Sequence, residues 1–309
     1  MKPFTESLIR QPDFDTYYAE EIEPELARLE SHRKTRMRLV LTLAALGAVG
    51  LGTVAALALA GQSESFSALV AFTLGFGCLV GAGLAYRGLC DRYKKVLVGK
   101  VCTFLGLDYT LGSFDFPLRR FTSLLPFYKS AKLEDRISGH VNGVDFELCE
   151  GKFSKKESKW RALMLIFSFE KAFEGETSVV ADTSWIGNAI ESLRQKGQRV
   201  ALESLEFEGR FEVYSTDQLE ARYLLTPRFM ERIMDLTERF NNKKGVALAF
   251  SDSQLLVAIR IGANARRFEI GNVFHEVRDG AERARSLVAE IECITDIIEI
   301  LNLSESSHA

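Results

Sequence analysis

Two stretches of this chain, residues 39–60 and 66–86, contain no Asp, Glu, Lys, Arg or His, and only Gly61, Gln62, Ser63, Glu64 and Ser65 separate them. As helices rising about 1.5 Å per residue, each would measure about 30 Å, the thickness of the hydrocarbon core of a bilayer. A helix that is apolar on every side has to be enclosed by a very large protein core or by lipid. Once the pair is set aside, the rest of a 309-residue chain supplies one domain of ordinary size. The sequence therefore predicts a transmembrane helical hairpin over 39–86 that holds a soluble domain at a lipid bilayer.

The flanking charges predict its orientation. Arg33, Lys34, Arg36 and Arg38 precede the first arm, Arg87, Arg92, Lys94 and Lys95 follow the second, and the connecting loop has neither Lys nor Arg. Positive charge stays on the cytoplasmic side, so both termini are expected there, which in a bacterium means the inner membrane. The apolar run starts only at Leu39, after an acidic segment, and is longer than the apolar region of a signal peptide, so the hairpin is expected to persist in the mature protein. With no ionisable residue in either arm, no proton or ion path is expected through the hairpin. Small residues recur at every fourth position: Ala44, Ala48, Gly52, Ala56 and Ala60 in the first arm, Thr73, Gly77, Gly81 and Ala85 in the second. Rows of this kind let helix backbones approach in lipid, so Gly52, Gly77 and Gly81 are expected to mediate packing within the membrane. The short connection favours arm against arm; the alternative is docking of a second copy or of another membrane protein.

Composition removes some function classes. A net charge of -3 and a pI near 6.0 give no basic surface for nucleic acid. Five cysteines, odd in number and with no Cys-x-x-Cys pair, predict free thiols rather than a disulfide framework or a zinc site. The four histidines, His32, His140, His275 and His308, are far apart. No nucleophile elbow, His-Glu-x-x-His pair, phosphate-binding Gly-Lys-Ser/Thr loop or dinucleotide fingerprint is present, and no cofactor or metal is expected.

Along the chain, residues 1–38 read as a cytoplasmic tail and helix, with Pro24 suited to a first helical turn and Tyr18, Ile22, Leu26 and Leu29 at helical spacing. Residues 87–132 read as a juxtamembrane stalk and linker, the stalk helix ending at Gly106 and a short helix following near Phe121–Tyr128. Residues 133–303 read as an α+β domain, and 304–309 as a polar tail. Its strands begin with a hairpin about Asn142-Gly143, whose turn needs positive φ, and continue through 163–169 and 177–180. Helices are expected at 182–197, behind Thr226-Pro227, and at 282–301; further strands at 246–250, 255–261 and 268–270. This order suits a mostly antiparallel sheet with helices on one face. The basic run Lys152, Lys155, Lys156, Lys159 and Arg161 reads as a solvated loop that would also suit contact with anionic lipid.

The densest local signal lies between Leu202 and Arg232. Phe207, Phe211 and Val213 suggest strand, and Asp217-Gln218-Leu219-Glu220 has the spacing of a capping box. The charged group Glu206, Glu208, Asp217, Glu220 and Arg222, with Tyr223 beside it, is the candidate site. In one reading Arg222 receives a carboxylate or phosphate and Tyr223 stacks next to it. In the favoured one Asp217 caps a helix, Glu220 completes the box and Arg222 pairs with Glu206 or Glu208.

The residues Phe207, Glu208, Phe211, Val213, Tyr214, Ser215, Asp217, Gln218, Glu220, Ala221, Arg222, Tyr223, Thr226 and Pro227, with a weaker block at Lys171, Phe173, Gly175 and Thr177, resemble the signature of a bacterial family catalogued as domain of unknown function 3137. Ala181 stands where that pattern has proline. The resemblance covers residues 90–303 and implies two N-terminal membrane helices with a cytoplasmic domain, and it brings no activity. The leading expectation is a membrane-anchored interaction or scaffold module, self-associating or recruiting another membrane protein. The alternatives are a tethered enzyme with an acidic site at Glu208, Asp217 and Glu220, and a regulatory subunit of a transporter.

Overall fold

The computed structural model describes residues 11–61, 66–169, 172–181, 193–239, 245–261 and 280–301. The chain divides into two compact units, Met1–Phe104 with Phe268–Leu287, and Leu105–Arg267 with Val288–Ala309.

In the first unit, helix α1 (Gln11–Tyr17) passes through one π-helical turn (Tyr18–Ile22) into α2 (Glu23–Leu59), and α3 (Phe66–Phe104) runs back alongside it. Pro24 directly follows the π-helical turn; helix already precedes it, so its missing N–H interrupts the hydrogen-bond ladder at the point where the π turn departs from i→i−4 spacing. Gly106, at φ 71°, follows the end of α3 in the left-handed conformation that glycine adopts without strain. Each helix is about 55 Å long at 1.5 Å per residue, so it extends well past its charge-free part. The seam between them follows a heptad. Leu26, Arg33, Val40 and Gly47 are buried at seven-residue intervals on α2, and Ala68, Gly75, Ala82 and Leu89 at the same interval on α3.

Glycine matters where the backbones touch. A Cβ on Gly50 would lie 2.7 Å from Gly75 Cα, and one on Gly47 would lie 2.5 Å from Leu79 Cγ. The expected arm-to-arm contacts at Gly52, Gly77 and Gly81 are therefore corrected. Nothing lies within 4 Å of a Cβ on Gly52 or Gly77, and only Leu43 Cδ1, at 3.7 Å, approaches one on Gly81. A row of every fourth residue turns about 40° around the helix at each step, so it leaves a seam whose period is about 3.5.

Where the helices continue past the charge-free part, the seam becomes polar. Glu30 Oε2 accepts from Arg33 Nε at 2.7 Å and from the Tyr93 hydroxyl at 3.0 Å, joining α2 to α3. The Arg33 hydrogen bond, against the opposing effect of burial and with help from Tyr93, holds the Glu30 carboxyl below its usual range. Burial, and then the bond to Glu30, pushes the Tyr93 phenol up. Lys100 Nζ lies 2.8 Å from Glu21 and 3.4 Å from Glu25, and Phe14 packs edge-on against Phe104.

The second unit is built on an antiparallel sheet of strands β1 (Asp108–Thr110), β2 (Ser130–Val141), β3 (Val144–Lys155), β4 (Ser158–Ser168), β5 (Thr177–Ala181), β6 (Gln198–Arg199), β7 (Phe211–Ser215), β8 (Val246–Ser251) and β9 (Gln254–Ile261). Among the described residues the order is β1-β2-β3-β4-β9-β8-β5-β7-β6, and each neighbouring pair is antiparallel. The tight turns fall at Asn142-Gly143 (φ 50° and 81°), at Lys156 (φ 51°) and at Asp252 (φ 57°). Helices α4 (Leu205–Glu208), α5 (Gln218–Leu224), α6 (Pro227–Arg239) and α7 (Gly280–Leu301) complete the described elements, and α7 begins in the first unit and ends in the second.

Both faces of the sheet are covered. Alternation places Phe250 on the face that meets Phe229 of α6, and Phe211 on the same face, stacked on Phe207 of α4 at 4.8 Å. The opposite face carries Cys149, Phe153, Trp160, Met164, Ala247 and Leu256, and it packs under Phe116, Phe121, Leu124 and Leu125. So the expectation of helices on one face holds for half of the sandwich, and the segment 114–128, with a 3-10 turn at Leu118–Phe121, supplies the other cover. Burial pushes the Cys149 thiol up, which disfavours its thiolate.

Several expectations change. Residues 108–110, read as linker, form edge strand β1 on β2. Phe207, read as strand, sits in the single turn of α4, which Ser204 starts by accepting a bond from the Phe207 N–H at 3.3 Å. The run from Lys152 to Arg161, read as a loop, is the paired end of β3 and β4. The expected helix at 182–197 lies outside the described residues except for its helical end at 193–196, and the expected strand at 268–270 lies outside them entirely.

Candidate functional site

The cluster expected between Glu206 and Tyr223 separates into individual structural contacts. Asp217 caps α5, its Oδ1 accepting from Leu219 N at 2.8 Å and Glu220 N at 2.9 Å. Glu220 does not close the capping box. Its two oxygens instead accept from two successive amides, Glu174 N at 2.6 Å and Gly175 N at 2.7 Å. Glu208 Oε1 accepts from Leu202 N at 2.8 Å, and Glu206 pairs with Arg210 at 2.8 Å rather than with Arg222. Arg222 and Tyr223 are exposed, and Arg222 has no carboxylate partner among the described residues. These acids therefore do not converge on one cleft where a proton-transfer pair would work.

The arrangement explains the two sequence blocks. The upstream Phe173-Glu174-Gly175-Glu176-Thr177 lies against the downstream Ser215-Thr216-Asp217 and Glu220. Besides the two amide bonds to Glu220, Glu176 N donates to Thr216 Oγ1 at 2.9 Å, Thr216 N to Glu176 O at 3.0 Å, and the hydroxyls of Thr177 and Ser215 meet at 2.8 Å. A Cβ on Gly175 would come within 2.9 Å of Asp217 Cβ, so the clasp needs glycine there. The fold uses this cluster as a fastening between β5 and the turn before α5.

Another group of charges lies on β2, β3 and β4, around an open groove of about 300 Å³. Register sets it up in rows. Ser130, Ser154 and Lys159 are cross-strand neighbours; next come Lys132, Lys152 and Arg161; then Glu134, Glu150 and Leu163. Like charges directly opposite on neighbouring strands repel, and the carboxylate row compensates. Glu134 receives Lys132 at 2.6 Å and also binds Lys152. Glu150, fully buried, receives Arg161 Nε at 2.5 Å and pairs with its Nη2. Behind this row, on the other face, Phe153 and Trp160 stack at 4.2 Å and Tyr128 packs on Phe153 at 5.0 Å.

Burial raises the Glu134 carboxyl, but the bonds from Lys132 and Lys152 outweigh it and bring it from 4.5 down to about 2. A carboxyl depressed in the folded chain contributes stability above its unfolded pKa and loses it as pH falls through the folded one. Wild-type stability is accordingly expected to fall between pH 4.5 and about 2 more steeply than that of Glu134→Gln. Urea midpoints measured across that range check it; parallel profiles would contradict it.

Sequence reasoning reached this region only as a basic run. The alternation Lys152-Phe153-Ser154 and Lys159-Trp160-Arg161, polar and aromatic by turns, was the available sign of two paired strands. Among the described residues no group of three or more His, Cys, Asp or Glu is arranged to hold a metal. Cys78, Cys90, Cys102 and Cys149 form no disulfide among the described residues.

Comparison with known proteins gives little beyond a family. Residues 159–303 match the family described as "Protein of unknown function (DUF3137)". No curated protein matches the chain. Among solved structures, the crystal structure of the mycobacterial trehalose monomycolate transport factor A, TtfA, aligns at 15% identity over 69% of this chain and 96% of that one, with a TM-score of 0.35. A likeness of that size carries no argument about this chain.

Proposed function

We propose that this chain, whose residues 159–303 match the DUF3137 family, is a membrane-anchored interaction module. In this reading α2 and α3 cross the lipid, both termini lie on the cytoplasmic side of a bacterial inner membrane, and the sheet domain organises a partner protein or a second copy there.

The observation that carries the reading is the outer surface of the hairpin. Both helices are long and apolar enough to cross a membrane, and their large side chains point outward: Leu59 is 92% exposed, Phe66 81% and Leu74 65%. A continuous apolar surface along two helices far exceeds what a protein leaves in water. The few polar groups there are satisfied locally, as lipid demands. Exposed Thr42, Thr53 and Thr73 return their hydroxyls to the carbonyls of Arg38, Gly50 and Leu69, at 2.8, 2.7 and 2.8 Å. The basic flanks at 33–38 and 87–95 support the orientation.

Chemical cross-linking in native membranes before solubilisation tests the interaction role. The expected result is a reproducible adduct larger than the 34.6 kDa chain. Recovery of the uncross-linked monomer alone, across several linker lengths, would overturn it.

A further inference from the structure

We propose that the groove on β2, β3 and β4 binds a phosphate group, carried by a soluble phosphate compound or by the headgroup of an anionic lipid. Its lining supplies the cations Lys132, Lys152, Lys159 and Arg161 and the hydroxyls of Ser130 and Ser154, and it includes no carboxylate. Glu134 and Glu150 stand in the row below, each already engaged with cations of that lining. Two negative charges facing four positive ones leave the groove cationic in a chain whose net charge is -3. This local excess follows from strand register rather than from composition.

Donor geometry favours phosphate. Lysine ammoniums suit an anion with several oxygens, hydroxyls add neutral donors, and Arg161, whose Nε and Nη2 face Glu150, adds positive charge beside them. The Ser130 and Ser154 oxygens are 2.7 Å apart, so one proton is used between them and the other hydroxyl is left to donate outward. Lys159, in the same row, is exposed and has no acid partner among the described residues. The buried Glu150 holds Arg161, and the stacked Phe153 and Trp160 pack behind the strands that carry Lys152 and Lys159. A groove of about 300 Å³ admits a phosphate with part of its substituent.

The test uses the full chain in maltoside micelles and does not depend on the membrane reading, because one probe is soluble. Inorganic phosphate and dihexanoyl-phosphatidylglycerol are titrated by calorimetry, with dihexanoyl-phosphatidylcholine as the blank. Saturable binding of either anionic probe, weakened about tenfold or more by Lys159→Ala as expected for loss of a charge-assisted bond, supports the proposal. Tighter binding of phosphate assigns the ligand to solution; tighter binding of phosphatidylglycerol assigns it to lipid. Lys159→Ala is expected to keep the parent unfolding midpoint, since its exposed side chain makes no hydrogen bond or ion pair among the described residues. Absence of binding by both probes, binding that Lys159→Ala leaves unchanged, or binding of hexaglutamate in their place overturns the proposal.

Discussion

Arg161→Ala is expected to destabilise the sheet domain by about 3–5 kcal/mol, the range for removing one partner of a buried ion pair. Glu150 is fully buried and Arg161 is 7% exposed, so the truncation leaves a carboxylate inside the protein without its guanidinium. The Coulomb attraction itself is a small part of the effect; the desolvated charge left behind is the larger one. Replacing both residues, as in Glu150→Leu with Arg161→Met, is therefore expected to cost far less than the single change. Urea unfolding of the full chain in detergent, followed by near-ultraviolet circular dichroism, measures both. A single variant within about 1 kcal/mol of the parent, the level of an exposed ion pair, would contradict the buried geometry.

Gly50→Leu carries the second large effect, in the hairpin. Its Cβ would meet Gly75 Cα at 2.7 Å, and backbone cannot move aside as a flexible side chain can, so the helices must separate along their seam. Overpacking of this kind costs about 1–3 kcal/mol. Gly52→Leu is the matched control, since nothing lies within 4 Å of its Cβ and the hairpin should be unaffected. Loss of helical signal in a sodium dodecyl sulfate titration of the monomer ranks the two. Equal damage from both would mean that the seam runs along the four-residue row instead.

These two sites also mark where the sequence was legible. The hairpin was readable because its cause is composition: two charge-free runs of bilayer length need no knowledge of a partner element. Local signals were equally direct where the chemistry is contained in a few residues, as in the positive φ at Asn142-Gly143, the Asp217 cap and the Thr226-Pro227 helix start, where Thr226 Oγ1 accepts from Phe229 N at 3.2 Å.

What stayed hidden depends on pairing across distance. Glu220 has capping-box spacing, yet its oxygens go to Glu174 and Gly175, brought close by β5 beside β7. Arg161 looked like one of several solvated cations until register set it against Glu150. Which face of each hairpin helix carries the seam also escaped, because a row of every fourth residue and a seam whose spacing averages about 3.5 lie close together over one turn and diverge beyond it.

The account depends most on lipid surrounding α2 and α3, and alkaline carbonate extraction of native membranes tests that directly. High pH strips peripheral proteins from membranes but does not remove helices that span the hydrocarbon core. The chain is expected to remain in the membrane pellet and to be released only by detergent. Recovery of intact chain in the carbonate supernatant would mean that protein, not lipid, covers the exposed leucines and phenylalanines of the hairpin, and would contradict the anchoring of the domain.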